Sequence, residues 1–461
     1  MPPRRPSLLS LTLASPLPGR FIADDLGSVA VSDLDGASCF VGQTIDRLSG
    51  CSVLLATTRQ LPSVLAAIQL DGVASRILLC TPDLAPHLPA IVEQAQIDIV
   101  VSDQSDIDLA LLGRPVITCH SNVISYDHRK IGRDIETEWV LFTSGTTGRP
   151  KMVAHTLASL TGPLDDGVSV VGGAVWSTFY DIRRYGGLQI LLRALIGGGS
   201  MVLSSGQEPV SEFLTRLGAA GVARISGTPS HWRRALMTPH ADAISPAYVR
   251  LSGEAADQAI LDRLRSHYPA ANIAHALAST EAGVVFDVRD GLAGFPASLL
   301  DNTGTTGVSM RIEGNTLRIR SSRTATRYLG QQLPESDGFI DTGDLVERRG
   351  DRYYFMGRRE GVINVGGQKV YPEEVEDVIT QHPDVQIARV WPRKSPITGA
   401  VVAADVVLRS ESGTGSGNVW PTIRADLMKA CHQALPAHKV PATWRQVGSI
   451  GMTASGKIQR A

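Results

Sequence analysis

The chain has 461 residues, of which 43% are hydrophobic and 19% charged, with a formal net charge of −1. That length exceeds one ordinary hydrophobic core and implies two or three domains. The balance is that of a soluble globular enzyme and excludes electrostatic attraction to nucleic acid or to an anionic membrane.

Apolar runs are short. Arg193 breaks the best membrane-spanning candidate, residues 188–195, so no span is expected. Arg4-Arg5 followed by the apolar residues 8–14 faintly imitates a signal peptide, but Pro6 and Pro16 bracket it, and a disordered leader is expected. Five cysteines (Cys39, Cys51, Cys80, Cys119, Cys431) are odd in number and lack metal-ligand spacing, which points to a reducing, cytoplasmic compartment.

Residues 52–56, 76–80 and 97–101 are apolar strand-like runs, and the helix-like stretches 64–68 and 90–94 fall between them. Strand, helix, strand, helix, strand predicts a parallel sheet with helical crossovers. Residues 188–195 continue as a helix stopped by Gly197-Gly-Gly199, and 201–203 read as the next strand. Toward the C-terminus, Tyr353-Tyr-Phe355 reads as a strand ending at Gly357, and Pro372-Glu-Glu374 opens a helix with carboxylates at its positive end. Residues 400–408 are strand-like, the Ser/Gly-rich 410–418 read as a hairpin tip, and Ile423, Leu427 and Cys431 share one helical face. The fold class is therefore α/β: a large N-terminal domain of layered sheets and helices, residues 1–357, and a small α+β C-terminal domain, residues 358–461.

The most informative segment is Leu141-Phe-Thr-Ser-Gly-Thr-Thr-Gly-Arg-Pro-Lys151. Glycines let successive N–H groups turn toward one point, hydroxyls add donors, and the Lys adds a mobile charge. The run reads either as a surface turn or as a triphosphate cradle, and its spacing is not that of a P-loop. Three later segments decide between them: Ser279-Thr-Glu-Ala-Gly283, Asp341-Thr-Gly-Asp344 with Gly357-Arg358, and Ser455-Gly-Lys457. In this order the chain resembles the adenylate-forming superfamily of acyl- and aryl-CoA ligases, peptide-synthetase adenylation domains and luciferases. The resemblance runs from about residue 140 to the C-terminus.

The resemblance implies that a carboxylate attacks the α-phosphorus of ATP, giving an acyl-adenylate, and that a thiol then takes the acyl group. Thr143, Ser144, Gly145, Thr146, Thr147, Gly148 and Lys151 would hold the outer phosphates. Thr280 would donate to the α-phosphate and Glu281 would bind Mg²⁺, with Ser279 beside them in the nucleotide site. The bland alternative for Thr280-Glu281 is a helix N-cap. Asp344 would accept the ribose hydroxyls and Arg358 would add a charged donor, while Asp341 is an ordinary turn residue. Gly253 and Glu254 would form a wall of the adenine pocket. Lys457 is the expected catalytic residue, stabilising charge in the transition state. Glu360 stands at the expected hinge of a mobile C-terminal domain, and Gly366-Gly367 at an expected thiol tunnel or a plain hairpin turn.

The acid pocket is expected around residues 176–187 and 227–232, with Tyr180, Asp181, Arg183, Gly227 and His231 as lining residues. Asp181 is a candidate ligand for an α-ammonium, His231 could pack, cap or touch substrate, and at least one of Arg183 and Arg184 is expected in a plain ion pair. Two residues depart from the family pattern. Leu277-Ala278 replaces a Tyr-Gly and removes an adenine-stacking aromatic, and Glu360 replaces an Asp. The resulting expectation is an acid–thiol ligase using ATP, Mg²⁺ and CoA or phosphopantetheine on a small aromatic or short substituted acid, with a carrier protein as the alternative partner. An amide synthetase, an amino-acid adenylation enzyme and a non-catalytic nucleotide-binding regulator are the rival readings.

Overall fold

The structure, a computed structural model, describes residues 6–40, 42–104, 109, 112–125, 134–143, 150–165, 172–300, 307–321, 323, 325–329, 338–395, 398–409, 419–453 and 458–459. The apolar runs form parallel strands, as their composition dictates. Ser52–Leu55 lies between Arg76–Leu79 and Ile99–Ser102, and all three run parallel. They belong to an eight-stranded sheet that also holds Glu138–Thr143 and Lys151–Thr156. A second eight-stranded sheet contains Val175–Thr178, Arg224–Gly227, Tyr248–Ser252 and Asn272–Ser279 in parallel, closed by the antiparallel Gly283–Val288.

Two helices fill the space between these sheets. Gln60–Leu70 has every residue buried, and Tyr185–Ile196 nearly so. A helix apolar all round has no solvent face and belongs between layers. Its polar exceptions are satisfied: Gln60 donates to Ser204 O and accepts from Ile182 N–H, and Gln69 accepts from Ser38 and Cys39 while donating to Ala37 O.

The N-terminal expectation is corrected. Leu8–Leu13 is a helix capped by Ser7, with Leu8, Leu9 and Thr12 buried. Its Leu8 N–H donates to Asp71 Oδ2 at 2.7 Å, and Trp139 Nε1 donates to Asp71 Oδ1 at 2.8 Å. A six-residue helix is unstable alone; this one is held by a buried carboxylate far along the chain.

A five-stranded antiparallel sheet follows, including Thr316–Ser321, Ile340–Arg349 and Arg352–Arg358. The smaller C-terminal domain pairs Val385–Ser395, Gly399–Leu408 and Thr443–Gln446, covered by the helices Pro372–Thr380 and Trp420–Ala434. Ile423, Leu427 and Cys431 are buried on one helical face. Residues 410–418, expected as a hairpin tip, lie outside the described residues, between the strand Gly399–Leu408 and the helix Trp420–Ala434. All five cysteines are free thiols.

Candidate active site

Four parallel strands of the second sheet end at one edge. Val175–Thr178 is followed by Phe179-Tyr180-Asp181, Arg224–Gly227 by Thr228, Tyr248–Ser252 by Gly253-Glu254, and Asn272–Ser279 by Thr280-Glu281. The carboxyl ends of parallel strands form the natural ligand crevice of an α/β sheet. The topology thus gathers three of the sequence motifs in one place.

Thr280 and Glu281 occupy a tight turn between antiparallel strands, where Ser279 registers against Gly283 and Ser279 Oγ accepts from Ala282 N–H at 2.9 Å. No helix follows, so the N-cap alternative is discarded. Gly283 is needed there: its φ is +80°, and a Cβ would meet the Tyr185 hydroxyl and Arg323. His155 Nε2 lies 2.8 Å from Thr280 O, and Nδ1 lies 3.2 Å from Ser159 Oγ. Because a carbonyl only accepts, Nε2 carries the proton. Burial pushes this imidazole down to about 4, so it is neutral at pH 7 and braces the turn.

Glu281 joins the two large sheets. Its Oε1 accepts from Thr143 Oγ1 and from the Tyr328 hydroxyl, each at 3.5 Å. Thr143 ends the strand Glu138–Thr143 of the first sheet and registers against Lys151. Lys151 Nζ stands 5.8 Å from the centre of the Tyr328 ring. Ser144, Gly145, Thr146, Thr147 and Gly148 lie outside the described residues, bracketed by Thr143 and Lys151. Tyr328 and His155 are neighbours of this corner that the sequence reading missed, and no motif signal marks either.

In the five-stranded sheet, Asp344 registers directly against Arg358, and Arg358 Nε is 3.1 Å from Asp344 Oδ1. Asp341 instead takes both Arg359 contacts at 2.7 Å and accepts from Gly343 N–H at 2.9 Å, as a turn residue does. Gly253, with φ +86°, swings the chain out of its strand. Glu254 Oε2 accepts from Ser230 N–H at 3.0 Å, and Oε1 accepts from Ile458 N–H at 3.3 Å. Lys457 lies outside the described residues, but its neighbour Ile458 is therefore docked at this edge.

The acid-pocket expectations are partly corrected. Arg183 is 3% exposed and donates through Nε and Nη2 to the two oxygens of Asp181, and through Nη1 to Thr57 O. Both carboxylate oxygens of Asp181 are engaged by that guanidinium, so Asp181 is no waiting ammonium ligand and Arg183 is a buried strut. Arg184 pairs with Asp83 at 2.7 Å, as the ion-pair alternative required. Tyr180 is tied down by its hydroxyl, which donates to Ser252 O at 2.7 Å. His231 both caps and packs: its Nδ1 faces Thr228 N–H at 3.1 Å, and its ring stacks on Phe179 with centroids 5.3 Å apart. Burial pushes His231 down to about 3, so it is neutral. Gly227 lets Phe179 approach, since a Cβ there would lie 2.7 Å from the Phe179 ring.

Gly366 and Gly367 have φ of +56° and +89° and form the turn between Ile363–Val365 and Gln368–Val370, so the hairpin reading describes their backbone. Glu360 falls in the short 3₁₀ turn Arg359–Gly361 that follows the five-stranded sheet.

Residues 48–326 match the AMP-binding enzyme family, and residues 374–457 match the AMP-binding enzyme C-terminal domain. The chain belongs to the AMP-binding enzyme family. The match begins well before residue 140, where the motifs first made the resemblance legible. This AMP-binding enzyme is 25% identical over 372 residues to the nonribosomal peptide synthetase dtxS1 of Metarhizium robertsii, covering 70% of the chain and 4% of that protein. It is 26% identical over 340 residues to 2-succinylbenzoate–CoA ligase of Listeria monocytogenes, covering 70% of the chain and 68% of the ligase. The chain thus corresponds to a small part of the synthetase and about two-thirds of the ligase. In structure it resembles the anthranilate CoA ligase AuaEII in complex with anthranoyl-AMP, with a TM-score of 0.78, 16% identity, and 99% and 96% of the two chains covered. The adenylate-forming fold, with a large N-terminal and a smaller C-terminal domain, is that of this AMP-binding enzyme.

Proposed function

We propose that this enzyme uses ATP and Mg²⁺ to convert a carboxylic acid to an acyl-adenylate, then passes the acyl group to the thiol of CoA or of a carrier-bound phosphopantetheine. The observation that carries the reading is the position of Glu281, where the carboxyl ends of both large sheets meet beside Thr143 and Lys151. In the first step a carboxylate oxygen bonds to the α-phosphorus, the bond to the bridging oxygen breaks, and pyrophosphate leaves. In the second, the sulfur bonds to the acyl carbon and AMP leaves.

Two anions react first, so charge must be neutralised before attack can be oriented. Lys151, Thr143 and residues 144–148 hold the outer phosphates. Thr280 donates to the α-phosphate, with its turn braced by Ser279 and His155. Glu281 suits Mg²⁺, which takes one or two carboxylates and leaves its other positions to phosphate and water; bound there, the ion would neutralise phosphate charge. Asp344 and Arg358 hold the ribose, Gly253 and Glu254 border the adenine, and Lys457 spans the carboxylate and the α-phosphate. We place the domain boundary between residues 357 and 358, with Glu360 at the hinge and Gly366-Gly367 facing the thiol arm after rotation. Asp344→Ala is expected to weaken ATP binding and to abolish discrimination against 2′-deoxy-ATP, because a site built for a hydroxyl rejects the analogue lacking it. Competing the two nucleotides in wild type and variant checks this. Equal use of both by wild type would remove Asp344 from the ribose.

The acid is a small aromatic or short substituted one. Phe179, His231 and Tyr180 make an aromatic wall, with Tyr180 edge-on to His231 at 5.9 Å. The similarity to ligases of 2-succinylbenzoate and anthranilate supports this choice. The engagement of Asp181 by Arg183 speaks against an α-amino acid. Turnover of benzoate-type, short-chain and long-chain acids, each with CoA, a phosphopantetheinylated carrier and ammonia, is expected to favour benzoate-type acids and thiols. Preference for long chains would overturn the pocket reading, and preference for ammonia would make the chain an amide synthetase. Absence of pyrophosphate release with every acid in the panel would favour the non-catalytic regulator. Among the described residues no helix is long and apolar enough to cross a membrane, and we place the enzyme in the cytoplasm.

A further inference from the structure

The two oxygens of Glu254 face different parts of the molecule. Oε2 accepts from Ser230 N–H, in the helix Pro229–Ala235 that also carries the acid-wall residue His231. Oε1 accepts from Ile458 N–H. Ile458 belongs to the C-terminal domain, where it bridges to Met452, while Gln459 N–H donates to Gly451 O at 2.9 Å and Gln459 O accepts from Arg389. Residues 451–452 and 458–459 thus lie side by side and are anchored on the C-terminal sheet, and the peptide nitrogen of Ile458 touches Glu254. On the same helix Arg233, bound to Asp257, lies in electrostatic reach of Asp377 and Glu376 on Pro372–Thr380 and of Glu254 itself.

We propose that Glu254 is a positioning residue for adenylation: its carboxylate latches the lysine-bearing segment onto the acid-pocket helix. The contact to Ser230 lies within the large domain and persists whatever the C-terminal domain does. The contact to Ile458 exists only when that domain is docked. An interaction made in one conformer alone shifts the population toward it, whereas one made in both does not. Glu254 is thereby the point at which acid-wall geometry and lysine placement are coupled. The role rests on the acyl-adenylate reading for its kinetic consequence but not for its structural one.

The test compares wild type, Glu254→Gln and Glu254→Ala as full chains, with thermal melts confirming folding. Limited trypsin digestion without ligands is followed by mass spectrometry for cleavage between Lys457 and Ile458, the bond whose nitrogen is latched. Loss of one charge-assisted hydrogen bond is expected to speed that cleavage roughly tenfold in Glu254→Ala. Glu254→Gln, which keeps an acceptor oxygen, falls between, and cleavage elsewhere is unchanged. Acyl-adenylate formation slows by about the same factor, and by more than transfer from supplied acyl-AMP, which does not use the docked segment. Equal cleavage in wild type and Glu254→Ala would overturn the latch. So would equal slowing of adenylation and of transfer from supplied acyl-AMP, which would make Glu254 a nucleotide-pocket residue only. If wild type forms no acyl-adenylate with any acid, the functional reading fails, and the cleavage comparison still decides the latch.

Discussion

Lys457→Ala is expected to slow acyl-adenylate formation about a hundred- to a thousandfold, because losing one preorganised charge contact to the transition state costs roughly 3–4 kcal/mol. The contact matters in one step only. Attack on the α-phosphorus brings an anionic carboxylate against the negatively charged nonbridging oxygens, and an ammonium between the two offsets their repulsion and the charge that builds on the phosphoryl oxygens. Thioester formation breaks a carbon–oxygen bond instead and leaves that phosphate intact. Thioester formation from chemically supplied acyl-AMP is therefore expected to survive nearly unchanged. Single-turnover measurement of the two half-reactions separates these outcomes. Equal loss in both would contradict a lysine used in adenylation alone.

The largest effect on stability is expected at the buried pair behind the Thr280-Glu281 turn. Arg250, 4% exposed, donates from Nε and Nη2 to Asp287 Oδ1 at 3.1 and 2.7 Å. The pair reaches across the strand Asn272–Ser279 and ties the edge strand Gly283–Val288 to the sheet. Asp287→Ala leaves a guanidinium without its partner in the interior, at a cost of about 3–5 kcal/mol. The urea midpoint is expected to fall accordingly. Arg250→Met combined with Asp287→Ala is expected to recover much of the loss, since an apolar pair needs no counter-charge. Burial alone would raise the Asp287 carboxyl, but Arg250, with Arg193 and Arg289, outweighs it and holds the group below its ordinary range. The stabilisation is thus complete above about pH 4 and is lost as pH falls through the folded-state value. A midpoint that ignores Asp287→Ala would show the pair to be worth nothing.

The parallel strands were legible because a strand buried on both faces is a short uninterrupted apolar run, and residues 52–56 and 76–80 could be little else. The motifs were legible because their chemistry is local. Thr280 and Glu281 need only their own turn, and Asp344 needs only the strand facing Arg358. Contacts between distant segments were not legible. The leader looked disordered because the residues that bury it, Asp71 and Trp139, lie elsewhere in the sequence. Asp181 looked available because periodicity cannot show Arg183 folding back onto it from two residues away. His155 and Tyr328 carry no motif, and only the pairing of their strands brings them to the Thr280-Glu281 turn. Glu254 stands in sequence only as an adenine-wall residue, because its contact with Ile458 spans 204 positions.

The central claim is that an acid oxygen attacks the α-phosphorus of ATP at this site. Turnover of a benzoate-type acid labelled with ¹⁸O in its carboxyl group tests it most directly. One labelled oxygen is expected in the AMP produced with each thioester, and none in pyrophosphate. AMP without label, or label in phosphate or pyrophosphate, would contradict acyl-adenylate formation.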